Sequence, residues 1–503
     1  MAKFKRGVHR KQPILFPERI EDYIPDGHLA KLVVEIVENL NLQKIIDKYS
    51  DIGQRAISPK ILIGILFYGY AIGLRSSRKL AKACVERLDF MYITVKFMPS
   101  HKTISEFRRE NLKEIKDVFQ EIVLIGIKLG LVKIGNIKAS IDGSKIRANA
   151  SSKLNKDEEG LGKLLEDVKS QITEILKEAE EIDKKENKEH GDNQGDELPK
   201  ELERAEDRKV KIEKAIEELK EAKRSLREEI IKEKGKITKK EEEEIEKKKI
   251  NLTDKDAKYM KEREGCIKAN YNAQLSVDEA NQFILANDVT TDCNDKKQWI
   301  PMIKQTEENI GAKIDEAKAD SGYHSGQNLA DKSIQEIDSY IDDPNKKRID
   351  NENYKYDKIN FKYDSENNSY ICPEGKKLEL QNKKDDKSTY KCNECALCEA
   401  KEECCPKTKN RIIIRDKNEG LVEANREKII SENGAKKYQA RMHTVEPVFG
   451  NIKYNSGFRQ FLLRGLEKVQ GEFNLMCIIH NLKKIWKYCI AKEIDLGLCL
   501  TTS

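Results

Sequence analysis

Aromatic residues are scarce in this chain, at 6% of 503 positions, whereas charged residues reach 37%. That balance points to long solvated helices rather than to large cores along the whole length. Long apolar runs are missing too. None reaches the ~18 residues of a membrane-spanning helix. The longest, Ile61 to Ile72, reads as a buried helix. The first residues, MAKFKRGVHRKQ, lack the apolar segment of a secretory signal, so no export is expected. Without export, disulfides are not expected either. Six of the 12 cysteines crowd between Cys372 and Cys405, and they read as metal ligands.

What is present is charge, unevenly placed. Residues 1–20 carry six Lys/Arg against Glu18. Residues 407–490 carry 17 Lys/Arg against 8 Asp/Glu, and residues 155–250 carry 25 against 31. Two basic regions flanking an acidic one suit a polyanion partner, although solvated surface accounts for the same counts.

The length leaves room for several domains. Residues 1–20 read as a basic arm and 21–132 as an all-α domain. Leu29, Leu32, Val33, Ile36, Val37 and Leu40 recur at helical spacing. Ser58-Pro59 reads as a capped helix start. PSHKTISEFRREN, from Pro99, reads as a helix capped by Thr103 that presents Lys102, Arg108 and Arg109, a basic helix consistent with DNA binding. Ordinary surface arginines on a bundle fit as well.

IKASIDGSKIRANAS, Ile137–Ser151, alternates as a half-buried strand does. Asp142 is expected where the strand runs out, with Gly143 turning the backbone and Lys145 and Arg147 alongside. A carboxylate fixed at a strand end suits Mg2+, and the cations suit a phosphodiester. The stretch by itself also fits a plain turn aspartate. Residues 155–250 carry two sparse apolar stripes, Val168-Ile172-Ile175 and Ile212-Ile216-Leu219-Leu226-Ile230, read as a charged αα-hairpin insertion. From Tyr271 a β-hairpin is expected, then a helix near Trp299. A second strand follows, ending at Asp320, and then a strand at Ser339–Asp342. The order is α/β with a mixed sheet. In residues 343–430, Cys372, Cys392, Cys395, Cys398, Cys404 and Cys405 offer thiolates to tetrahedral Zn2+. An iron–sulfur cluster and unligated thiols are the other readings. Tyr438–Trp486 is helical, with Glu446 and Lys453 beside an apolar face.

Several motifs, in order, carry a resemblance: DYIPDGHLAKLV, LFYGYAIGLRSSRKLAKAC, HKTISEFRREN, IDGSKIRANAS, YNAQLSVD, ADSGYHS, the cysteine segment and VEPVFGNIKYNSGFRQFLLRGLEKVQGEFNLMCIIHNL. The chain resembles bacterial insertion-sequence transposases of the insertion sequence 1182 family. The resemblance implies an RNase H-like core, built from 133–154, 251–342 and 431–490. It implies a metal-binding DDE triad of Asp142, Asp320 and Glu446 with Mg2+ (or Mn2+), and a Tyr-Arg-Glu-Lys signature at Tyr438, Arg441, Glu446 and Lys453. Here four residues separate Arg441 from Glu446, where the related signature has three. The resemblance further implies Lys453 on a phosphate, cleavage at element ends, joining of a 3′-hydroxyl to target DNA, double-stranded DNA as partner, a homodimer on DNA, and a bacterial cytoplasmic location. A nuclease without strand transfer and a non-catalytic DNA-binding protein are the rival readings. Residues 343–430 become a Cys-rich insertion and 491–503 a tail.

Overall fold

A computed structural model describes residues 19–50, 55–190, 200–262 and 265–494. Most of the expected basic arm, most of the tail and the turn-rich stretch 191–199 lie outside the described residues. The chain forms two compact units. One takes in the described residues up to Ser144, with Asn272–Arg459 and those from Gln470 onward; the other takes in Lys145–Tyr271 and Gln460–Val469.

The first unit opens with α1 (Leu29–Asn39), α2 (Gln43–Ile46), α3 (Pro59–Ala71), α4 (Ser77–Glu86), α5 (Leu88–Thr94), α6 (His101–Glu110) and α7 (Glu114–Lys128). Pro59 pre-sets the first turn of α3, but Ser58 makes no side-chain cap. Thr103 does not cap α6 either. Its N–H donates to Ser100 Oγ at 3.0 Å, so Ser100 is the cap. Arg108, expected on the surface, is buried: Nη1 donates to Tyr70 Oη at 2.8 Å and to the Arg75 carbonyl at 3.1 Å. Its Nη1 serves the bundle, and burial keeps the side chain away from a phosphate. Arg109 is exposed beside Glu110.

β1 (Lys138–Arg147) begins in the first unit and ends in the second. In the second unit, β2 (Asn155–Lys156) pairs with β3 (Ile250–Asn251), and α8 (Glu158–His190) packs on α9 (Lys200–Lys234), followed by α10 (Lys239–Glu246). The helix seam is narrow. Leu161, Val168, Ile212, Ala215 and Leu219 are buried, with Leu164, Leu165, Ile172 and Ile216 packed against them. Buried Lys223 bonds Glu158 and Glu246, while Arg227 bonds Glu242 and Glu246. The two long helices expected from the apolar stripes are therefore present, and ion pairs tie in α10. β4 (Lys258–Lys261) pairs antiparallel with the start of β5 (Ile267–Asp278).

Back in the first unit, β5 turns into β6 (Ile284–Thr290), the expected hairpin. α11 (Trp299–Ile310), β7 (Glu316–Ala319), α12 (Gly326–Ala330) and β8 (Asp338–Ile341) follow. The sheet order is β5-β1-β7-β8, with β6 on the far side of β5, and β1, β7 and β8 run parallel. It is a mixed sheet in a mixed α/β fold with a helical N-terminal region. α7 lies against it closely enough that a Cβ on Gly126 would meet the Phe283 ring at 2.6 Å.

Residues 343–430 hold more regular structure than their polar, lysine-rich sequence suggests. β9 (Lys362–Asp364), β10 (Ser369–Ile371), β11 (Lys377–Lys384), β12 (Lys387–Cys392) and β13 (Ile412–Asp416) form an antiparallel sheet in the order β13-β12-β11-β10-β9. Its core is Phe361, Tyr370, Leu378, Tyr390 and Ile413 with Cys392, Cys395 and Cys405. After the short α13 (Lys401–Cys404), the chain runs through α14 (Glu419–Ile430), α15 (Glu432–Gly450), a π-helical turn over Asn451–Asn455, and α16 (Leu466–Lys492).

α16 buries Val469, Phe473, Met476, Ile479 and Leu482, and it also brings carboxamides to β6. Asn481 accepts the Ile284 N–H at 2.9 Å and donates to the Ile284 carbonyl at 2.8 Å, and Gln470 accepts the Val289 N–H. Asn309 of α11 donates to the Leu285 carbonyl. The outer rim of this strand is thus satisfied by side chains.

Candidate active site

Strand register builds the site. Ile141 of β1 pairs with Ala319 of β7, so the next residues, Asp142 and Asp320, are neighbours at one level of a parallel pair. Asp320 stands at the strand end and accepts the Gly322 N–H at 2.9 Å through Oδ1. Asp142 does not stand at an end, because β1 continues to Arg147. Gly143 therefore makes no turn, and its φ is not left-handed. A Cβ there would stand 2.5 Å from Gln274 Nε2 and press on Asp295 Oδ1. Space, rather than backbone freedom, is what glycine provides at 143.

Burial pushes the Asp142 carboxyl up to about 7. Arg441 opposes the shift, and the nearby charges of Asp320 and Asp295 add to it. Burial also raises Asp320, with the Gly322 N–H and Arg441 pulling the other way. Arg441 comes from α15. Its side chain is 9% exposed, Nη1 lies 3.4 Å from Asp142 Oδ2, and Nη2 lies 3.9 Å from Glu446 Oε1. Neither Nε nor Nη1 has a hydrogen-bond partner. The Tyr438 ring lies 5.8 Å from the guanidinium, and burial pushes its hydroxyl up to about 12.

The extra residue between Arg441 and Glu446 has a geometric consequence. Positions four apart on a helix differ by roughly 40°, and positions five apart by about 140°. Val445 therefore occupies the face that Arg441 shares, and it is fully buried. Glu446 points aside, with its side chain 41% exposed. Pro447 cannot donate to the His443 carbonyl, which accepts Gln282 Nε2 at 2.9 Å instead. Lys453, in the π-helical turn, donates to Ser144 Oγ at 2.6 Å, two residues along β1 from Asp142.

The structure thus brings Asp142, Asp320, Arg441 and Tyr438 together, with Glu446 at the edge and Lys453 bonded to Ser144 on the strand that carries Asp142. Lys145 and Arg147 fall in the second unit, where Lys145 Nζ donates to the Lys261 carbonyl and Arg147 lies 3.9 Å from Glu262. Sequence reasoning missed Asp295. Its Oδ1 accepts N–H groups from Asn272 and Gln274, each at 2.7 Å, and Gln274 Oε1 in turn accepts the Tyr323 hydroxyl. Asp295 sits between a hairpin and a helix in the run DCND, where nothing in the sequence separates it from an ordinary loop aspartate.

Cys372, Cys392, Cys395, Cys398, Cys404 and Cys405 line one small cavity of about 20 Å3. All six are free thiols. The Lys376 N–H donates to Cys372 Sγ at 3.2 Å, and the Arg411 N–H to Cys395 Sγ at 3.4 Å. Burial pushes the Cys392 thiol up to about 12 and Cys404 to about 11. Among the described residues, no three His, Cys, Asp or Glu side chains close on a common point as a ready-made metal site. Anionic donors repel one another and draw together only around a cation. The donor chemistry fits one in both places: carboxylates for a hard ion, thiols for zinc.

Residues 371–486 match the family model described as Transposase DDE domain, and residues 18–110 match the one described as Transposase domain (DUF772). The two matches support an insertion-sequence transposase, a class of enzyme that acts on DNA with divalent metal ions. The first covers Tyr438, Arg441, Glu446, Lys453 and the six clustered cysteines; Asp142 and Asp320 lie outside both. No curated protein and no solved structure matches the chain. Among the described residues, no helix is long and apolar enough to cross a membrane.

Proposed function

We propose that this chain is a DDE transposase of the insertion sequence 1182 kind. In this reading the mixed sheet is an RNase H-like core, working in the bacterial cytoplasm on element ends and target DNA, as two copies bound together. The observation that carries it is the register of β1 on β7, which makes two carboxylates neighbours beneath a buried arginine.

Asp142 and Asp320 would hold Mg2+ or Mn2+, with Glu446 joining through a side-chain rotation. Bound divalent ions make a water or a 3′-hydroxyl a better nucleophile and offset charge on the leaving oxygen. The chain's own groups do the positioning. Arg441 has Nε free of hydrogen bonds inside a buried site, so its guanidinium keeps a donor for a phosphate oxygen. Tyr438 backs that guanidinium with its ring face. Lys453, through Ser144, sits where it can meet a backbone phosphate. Lys145, Arg147 and Arg109 add positive charge for the duplex. Four of the six clustered cysteines would hold a structural Zn2+ under the β9–β13 sheet, with Cys372 and Cys395, whose sulfurs accept backbone N–H groups, among them.

Cleavage and joining of end-containing DNA with Mg2+ or Mn2+ test the reading. Asp320→Ala is expected to lose both activities by at least about 10³-fold, since a lost metal removes several kcal/mol of transition-state stabilisation. Equal activity in the variant would remove the site. Cleavage without joining would leave a nuclease.

A further inference from the structure

Asp295 is a third carboxylate, beside Gly143 within β1 and Gly322 just past the end of β7. Its Oδ1 is anchored by Asn272 and Gln274, both of β5. Its Oδ2 faces Gly322, two residues past Asp320. A Cβ on Gly322 would stand 3.2 Å from Asp295 Oδ2 and 2.9 Å from Asp320 Oδ1, so a single point lies close to both oxygens. Neither Gly143 nor Gly322 has a left-handed φ. A Cβ at 143 would collide with Asp295 Oδ1, and one at 322 would meet Asp320 Oδ1 and crowd Asp295 Oδ2. A surface loop aspartate has no need of two such clearings.

A merely structural carboxylate would be used up by its amide partners, whereas Asp295 spends one oxygen on them and keeps the other toward the acids. An independent observation says the same place expects a ligand. Arg441, nine-tenths buried, enters it with Nη1 paired only to Asp142 and Nε without a hydrogen bond. A buried guanidinium beside clustered carboxylates fits a cation and its phosphate arriving together. Glu446, by contrast, is carried aside by the five-residue step from Arg441.

We propose that Asp295 is a further ligand of the divalent cation held by Asp142 and Asp320, a role that rests on the transposase reading. Anchoring Oδ1 to two carboxamides fixes the side chain, so Oδ2 can bind metal with little loss of rotamer freedom. The carboxylates from β1, β7 and the turn before α11 would then surround the ion from three directions.

Mn2+ binding to the full chain without DNA, read from the resonance of free Mn2+, tests this. Asp295→Asn keeps an oxygen for Asn272 and Gln274 and removes the charge. It is expected to weaken Mn2+ binding by about tenfold or more with an unchanged unfolding temperature. Wild-type affinity in Asp295→Asn, with affinity lost in Asp320→Ala, would overturn this proposal and leave the transposase reading standing. Wild-type affinity in Asp320→Ala would bring down both. Should Asp295→Asn unfold earlier, Asp295→Glu decides: affinity recovered above that of the Asn variant supports the ligand role, and no difference between the two overturns it.

Discussion

In the proposed reading the carboxylate site and the thiol cluster would each receive a cation, and they would prepare for it in opposite ways. At the sheet, strand register forces Asp142 and Asp320 together, and Arg441 offsets part of their repulsion. That site stays open on one side, through Glu446. Under β9–β13 the donors are thiols, three of them buried in an aromatic core, and burial makes the protons of Cys392, Cys404 and Cys405 harder to remove. The first arrangement stores electrostatic tension in a rigid scaffold and suits ions that come and go. The second couples loading to deprotonation and to closure of a small core, which suits an ion that stays.

The largest expected effect breaks the thiol side of the comparison. Cys395→Ser, or chelation of the wild type, is expected to release about one zinc per chain and expose residues 361–416 to protease, while the β1-β7-β8 sheet remains protected. A structural zinc carries roughly 10 kcal/mol or more of folding free energy. Unchanged zinc content in the variant would end the contrast.

A smaller effect sharpens the carboxylate side. Burial raises the Asp142 carboxyl from 3.8 to about 7, so between those values the folded chain holds a proton that the unfolded chain has lost. The contribution of this group to stability is complete below pH 4 and is lost as pH rises through 7. Asp142→Asn, freed of that cost, is expected to be more stable than wild type at pH 8 in chelator, by up to roughly 4 kcal/mol, with the advantage gone near pH 4. Calorimetry at the two pH values checks it; an advantage that is the same at both would remove the tension. Smallest is Gly143→Ala, whose Cβ must displace Gln274 and Asp295. A loss of about 1–3 kcal/mol is expected in denaturant titration, together with weaker Mn2+ binding. No loss would show that the carboxylates shift freely.

Periodicity made the buried helices, the β5–β6 hairpin and the Asp320 strand end legible, because each rests on local pattern. Adjacency was not legible. Gly143 reads as a turn until Asp295 is seen beside it, and Asp295 arrives from 152 residues further along the chain. Arg108 looks like surface because its neighbours are charged, yet Tyr70 and the Arg75 carbonyl draw it inward. The five strands of residues 362–416 escaped notice because three are only three to five residues long and the other two are mostly polar, and a small sheet with one thin core needs few apolar residues.

The rim of β6 also bears on how two copies could meet. Exposed strand edges commonly recruit a strand from a neighbouring chain. Here Asn481, Gln470 and Asn309 already occupy the outward backbone groups of Ile284, Val289 and Leu285. A continuous sheet across a dimer is closed off at that rim, so the proposed pair on two DNA ends would be joined by helices, by the nucleic acid itself, or by another strand.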